Sequence, residues 1–305
     1  MNYSHVHIVL NHFPTIGTVL GLGLFIYALL RKNDELKEIS FVIFMVMALL
    51  GVPTFITGAA AERAIGDRAD VGLIEVHKDA AVLAFTFLGI TGTFAWLGLW
   101  QARRFKGIAQ WNKMVVLVLS VITVGLMVNT GSMGGEISHP EIRAEGAALS
   151  GEAEVGLNGA LEAWVLDNAW VWPTGETLHF TGMALLFGVA LVVNLRLFGF
   201  IGKVPFKALH RLLPLGIFGF GISATTGMML FNANPTRYIN VPTFFLKMFM
   251  VVLAGIAVLY VTVFDETWAL GADDKPPLRA KFVAVTTMAL LLGILYFGRM
   301  IPFLE

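Results

Sequence analysis

Cysteine is absent from the 305-residue chain. Its absence excludes disulfides, thiolate zinc sites, cysteine-ligated iron–sulfur clusters and c-type haem attachment within the chain. Any metal or haem is left to His, Met or carboxylates. Charge is scarce too: Asp, Glu, Lys and Arg make up 14% of the residues, where a soluble domain carries roughly 25%. The 21 basic residues are balanced by 21 acidic ones. With no basic stripe to hold a phosphate backbone, no nucleic-acid partner is expected. A glycine-rich nucleotide loop is missing as well. Gly131-Ser132-Met133-Gly134-Gly135 resembles a nucleophile elbow only loosely, since it follows a membrane helix and not a strand. No apolar span has Asp or Glu at its centre, which weakens a proton- or ion-coupled transporter reading.

What is present is apolar. Hydrophobic types form 57% of the chain and mean hydropathy is +0.76. A helix needs about 20 apolar residues to cross ~30 Å of hydrocarbon. Such runs lie near 8–30, 40–60, 79–100, 114–131, 179–198, 210–231, 244–264 and 281–299. Alternating strands of the barrel type are missing, so helices are the reading that satisfies the backbone in these runs. The fold expected is all-α: a polytopic membrane protein of about eight transmembrane helices in two four-helix bundles. The bundles would be residues 1–140 and 178–305, separated by an acidic extracytoplasmic loop at 141–177.

Basic residues set the orientation. Loops 31–40, 101–113, 196–211 and 265–281 hold fourteen of the 21 Lys and Arg residues. The positive-inside tendency therefore puts both termini outside the cytoplasm, in the periplasm of a bacterial inner membrane. The first apolar run lacks a basic leader and precedes Arg31-Lys32, so it reads as a retained span and not as a cleaved signal peptide. In the long outer loop, 157–172 reads as an interfacial helix with Trp164, Trp170 and Trp172 at headgroup depth. It is either an ordinary aromatic belt or a docking surface for a partner. Arg196 and Arg299 fall near helix ends, where they can snorkel.

Six of the seven histidines, His5, His7, His12, His77, His139 and His179, fall at outer helix ends or in outer loops. Histidine near a bilayer is costly to leave unpaired, and several at one depth point to function. A four-helix bundle can offer imidazoles from facing helices to the two axial positions of a haem. His12 and His77 meet the depth requirement, on helices expected to lie diagonally across the bundle. His7 and His139 form a second possible pair, and His179 either joins the cluster or packs at the interface. Glycines 17, 21, 23, 89, 92 and 125 leave room for a macrocycle or serve plain helix packing. Arg63, Arg68 and Arg143 lie on the same side and could meet haem propionates, or stay solvated. Three outcomes remain open: one or two b-type haems, a non-haem metal held by His5, His7, Glu62, Glu75, His77, Glu136 and His139, or no cofactor. His210, on the inner side, is expected to face the cytoplasmic headgroups.

The runs His7-Ile8-Val9-Leu10-Asn11-His12-Phe13-Pro14, Glu75-Val76-His77-Lys78 and Gly134-Gly135-Glu136 with His139 resemble an uncharacterised bacterial family of four-helix membrane domains. The resemblance covers residues 5–140, and members of that family are sometimes fused to Rieske-type iron–sulfur modules. The second half, with His179-Phe180-Thr181-Gly182 and His210-Arg211-Leu212-Leu213-Pro214, resembles another uncharacterised bacterial four-helix membrane domain. The first resemblance implies an electron-transfer setting. With no Rieske motif in the chain, the redox partner would be a separate periplasmic cytochrome or iron–sulfur subunit. The function expected is a b-type haem membrane subunit between the quinone pool and that partner. The alternative is a metal-binding or structural subunit of a larger membrane complex.

Overall fold

The structure, a computed structural model, describes residues 3–65, 70–138 and 156–301. Every regular element among them is helical. The helices are α1 (Tyr3–Leu30), α2 (Asp34–Ile65), α3 (Val71–Phe105), α4 (Gln110–Ser138), α5 (Leu157–Asp167), α6 (Val171–Phe198) and the short α7 (Phe206–Leu209). They continue with α8 (Leu213–Ala233), α9 (Pro235–Ile239), α10 (Pro242–Val263), α11 (Asp265–Trp268) and α12 (Leu278–Met300). Among the described residues, eight helical stretches are long and apolar enough to cross a bilayer. The protein is an all-α, multi-pass membrane protein.

Several helices outrun the apolar stretches that announce them. The 35 residues of α3 rise roughly 50 Å, well beyond ~30 Å of hydrocarbon. Its start is set by Asp70, whose side chain accepts the Leu73 N–H at 3.2 Å, a cap and not a change in hydropathy. His7, His77 and His179 therefore lie one to two turns inside α1, α3 and α6, not at their mouths.

Proline does not break α1 or α2. Pro14 removes the donor that would serve the Leu10 carbonyl, and the Thr54 hydroxyl of α2 lies 3.4 Å from that oxygen. In α2 the Thr57 hydroxyl donates back along its own helix to the Pro53 carbonyl at 2.7 Å, which is not the carbonyl that Pro53 frees. Neighbouring hydroxyls satisfying freed backbone are what allow proline in a membrane helix.

The first four helices form a ring in which α1 packs on α2 and α4, and α3 packs on the same two. That leaves α1 and α3 on a diagonal. In the second half α6 packs on α8 and α12, and α10 packs on α12 and on the short α9. The halves meet where α3 touches α8 and α10 touches α2 and α3. One apolar cluster runs across the seam, with Phe25, Phe41, Phe44, Trp96 and Leu99 on one side and Ile217 and Leu259 on the other. Trp96 Nε1 donates to the Thr262 hydroxyl at 3.0 Å, and Trp100 Nε1 to the His210 carbonyl at 2.7 Å.

Ile301 clusters with Ile56, Phe231 and Phe244. The end of α12, the ends of α2 and α8 and the start of α10 thus share a face with the start of α1, here called the histidine face. α5 lies against α8, α3 and α6 at this face, and its first N–H, on Leu157, meets Asp79 of α3 at 2.8 Å. Trp164 and Trp170 stay exposed, and Trp172 lies under Arg237.

Two expectations at the opposite face are corrected. Arg196 does not snorkel: it is fully buried. Its Nε donates to the Val204 carbonyl at 2.7 Å, and its Nη2 donates to those of Gly271 at 2.7 Å and Asp274 at 3.2 Å. Its planar fork organises two loops by satisfying their carbonyls, a task a hydrated headgroup position would not give it. His210 is also fully buried, packed between Phe206 and Trp268.

Candidate functional site

The histidine face places three imidazoles in one repeated arrangement. His7 of α1 has Nδ1 2.9 Å from the Thr54 carbonyl of α2. His77 of α3 has Nδ1 3.1 Å from the Thr130 carbonyl of α4. His179 of α6 has Nδ1 2.8 Å from the Ser223 carbonyl of α8, with the Ser223 and Thr226 hydroxyls each at 3.3 Å. A carbonyl oxygen only accepts, so each Nδ1 carries the proton and donates it. In the neutral ring, Nε2 then holds a lone pair. No hydrogen bond to Nε2 of these rings exists among the described residues.

A glycine makes each approach possible. In an α-helix the side chain of residue i+4 leans back toward the N-terminus, over the carbonyl of residue i. The residue four places after Thr54 is Gly58, after Thr130 it is Gly134, and after Ser223 it is Gly227. A Cβ on Gly58 would stand 2.9 Å from His7 Cε1, one on Gly134 3.1 Å from His77 Cε1, and one on Gly227 2.9 Å from His179 Cε1. The rings lie where those methyl groups would be.

Across the first bundle, His7 and His77 are close enough to act on one another electrostatically. They come from the diagonal helices α1 and α3. His12 is placed otherwise. It is exposed, and its Nδ1 lies 2.7 Å from the Ile8 carbonyl of its own helix. The pair the geometry offers is thus His7 with His77, and not His12 with His77. His139, Arg68 and Arg143 lie outside the described residues. Arg63 is exposed and donates to the Asn240 side chain at the seam.

The carboxylates nearby are engaged elsewhere. Lys78, next to His77, reaches Glu62 at 3.2 Å and Glu75 at 2.9 Å. Among the described residues, no three His, Asp or Glu side chains converge as a metal ion would require. A zinc or iron centre needs three or four protein ligands, whereas a haem iron held through both axial positions needs two. The donor set here is two neutral imidazoles whose far nitrogens are fixed by backbone carbonyls. That is the outer-shell bond by which ligating histidines are normally oriented. The residues fit a haem in this respect.

The glycines read from the sequence as room for a macrocycle have other neighbours. A Cβ on Gly17 would collide with Met47, on Gly21 with Ile43 and Phe44, and on Gly92 with Ala48; these positions let helices approach closely. Gly23 and Gly125 are exposed with open space beside them. The glycines that serve the histidines are Gly58, Gly134 and Gly227. Their signal in the sequence is a hydroxyl residue followed four places later by glycine on each returning helix: Thr54…Gly58, Thr130…Gly134 and Ser223…Gly227. No protein-family model, curated protein or solved structure matches the chain.

Proposed function

We propose that this protein is a b-type haem subunit of a bacterial inner-membrane redox complex, with His7 and His77 as the axial ligands. The observation that carries the reading is the placement of these two imidazoles on diagonal helices, each with Nδ1–H tied to a carbonyl and Nε2 without a hydrogen-bond partner among the described residues. Such an arrangement stores a ligand geometry. The ring cannot rotate about its Cβ–Cγ bond without losing a hydrogen bond in an environment that offers few substitutes.

Haem, when bound, supplies a one-electron couple. The chain supplies everything that tunes it. Thr54 and Thr130 raise the basicity of the ligating nitrogens through their carbonyls. The apolar helices lower the local dielectric, and the Lys78–Glu62–Glu75 cluster places charge beside His77. Electrons would pass between the quinone pool and a cytochrome or iron–sulfur protein on the periplasmic side, where the positive-inside pattern puts the histidine face and both termini. A site confined to one face does not by itself carry electrons through the bilayer. Other subunits would complete any such path.

The test is the dithionite-reduced optical spectrum of the purified chain. A sharp α-band with a pyridine-haemochrome signal of the b type is expected, and both should be lost from the first bundle in His7→Ala and His77→Ala. His12→Ala should keep them. Full haem content in both His7→Ala and His77→Ala rejects the ligand assignment. Stoichiometric zinc, iron or copper without a Soret band rejects the haem.

A further inference from the structure

The face opposite the histidines carries a cleft of different chemistry. It lies at the seam of the two halves, between the start of α2, the end of α3 and the end of α10, and measures about 320 Å³. Small-molecule sites run from roughly 300 to 1,000 Å³. From α2 it is lined by Glu35, Glu38, Ile39, Val42 and Ile43. These fall at i, i+3, i+4, i+7 and i+8, a single stripe along a helix.

The stripe is ordered by polarity. Two carboxylates stand at the membrane face and three branched apolar side chains follow, about 12 Å from first to last at 1.5 Å per residue. The α3 wall has the same order: Arg103 stands at the face, and Leu99 lies buried one turn deeper. Arg103 Nη2 is 3.7 Å from Glu38 Oε2, and their side chains keep 25% and 34% of their surface open, so a ligand can reach both. Lys37, beside Glu38 in sequence, is paired with Asp34 at 2.7 Å. One guanidinium thus faces two carboxylates across the mouth.

A phospholipid has this sequence of polarity, and the charges select its headgroup. Basic pockets between membrane helices take anionic lipids. A mouth with more carboxylate than guanidinium repels a headgroup whose one charge is a phosphate. A headgroup that adds a primary ammonium has a partner for each wall. Its three N–H groups serve carboxylates, and its phosphate suits the arginine fork.

We infer that this cleft binds one zwitterionic aminophospholipid. The ammonium meets Glu35 and Glu38, the phosphate meets Arg103, and an acyl chain runs along Ile39, Val42 and Ile43 opposite Leu99. The site shares no residue with the histidine face and does not depend on the haem reading.

Competition among lipids with identical acyl chains tests this. Delipidated full-length protein is mixed with equimolar phosphatidylethanolamine, phosphatidylcholine and phosphatidylglycerol, and the retained lipid is read by native mass spectrometry. One phosphatidylethanolamine per chain is expected. Phosphatidylcholine lacks the N–H donors to charged acceptors and should be retained roughly tenfold less. Glu35→Gln with Glu38→Gln should turn the preference to phosphatidylglycerol. Ile39→Trp, which fills the cleft and leaves every charge in place, should abolish retention. Melting curves of the variants report whether they fold, and the wild-type preference reads independently of them. Equal retention of the three lipids, or phosphatidylglycerol ahead in the wild type, overturns the inference. A phosphatidylethanolamine adduct that ignores both sets of substitutions in folded protein overturns it too.

Discussion

Gly58 stands where any side chain would collide with the His7 ring: a Cβ there would lie 2.9 Å from Cε1 and 3.2 Å from Nδ1. The contact matters because Nδ1 must pass that point to reach the Thr54 carbonyl at 2.9 Å. One missing methyl group thus decides the tautomer and direction of a ring on another helix.

Gly58→Ala should displace the His7 ring and cost about 1–3 kcal/mol in stability, the usual range for an extra methyl group in a packed interior. The height of the reduced α-band should fall with it. Gly23→Ala is the control. Its Cβ meets nothing within 4 Å, so stability should hold or rise by about 0.5–1 kcal/mol through the lost glycine entropy. Thermal melts and reduced spectra of the two variants check both.

Gly182→Ala should be harsher. The added Cβ would sit 2.6 Å from the Gly219 carbonyl oxygen and 2.8 Å from the Ser223 nitrogen. Both are backbone atoms with no rotamer to yield, so α6 and α8 must separate. A loss of about 3 kcal/mol is expected, the upper end of the overpacking range. Because Ser223 also holds His179, any signal that depends on His179 should fall before the one that depends on His77. A melting curve that matches wild type would contradict the close approach.

Arg196→Lys should not rescue Arg196. Three carbonyls, on Val204, Gly271 and Asp274, receive the guanidinium, and one ammonium on a flexible stem lacks the fork to reach them together. Orphaned buried acceptors cost about 1–3 kcal/mol each. Faster cleavage by protease in segments 199–205 and 271–277 is the expected outcome, with the helices intact. Equal cleavage rates in wild type and variant would show that the loops do not depend on this residue.

The bond from Trp96 Nε1 to the Thr262 hydroxyl, 3.0 Å, joins the two halves within the membrane. Interhelical hydrogen bonds of this kind average about 0.6 kcal/mol and reach about 1.7. A double-mutant cycle with Trp96→Phe and Thr262→Val should return a coupling energy in that range. A coupling near zero would mean that apolar packing of Phe25, Phe44, Trp96 and Ile217 alone unites the halves.

The spans were legible in the sequence because the requirement is one-dimensional: about 20 apolar residues in a row cross the hydrocarbon, and the backbone must then be helical. The starts of the helices were not. Hydropathy stops at the first polar residue, whereas α3 begins at its Asp70 cap, seven residues before His77. The histidine cluster was visible as residues of one type at one depth, yet the choice between His7 and His12 was hidden. Both lie on α1, five residues apart, and no pattern within one strand of sequence says which helix face meets α2.

Composition by itself determined that this chain is a helical membrane protein without cysteine chemistry, since those properties depend on totals and on uninterrupted runs. The seating of His7, His77 and His179 on carbonyls of the returning helices and the burial of Arg196 and His210 were decided only by the tertiary structure. Each depends on which faces of distant helices are turned together. That is set by where small residues let other groups approach the backbone: Gly58, Gly134 and Gly227 for the rings.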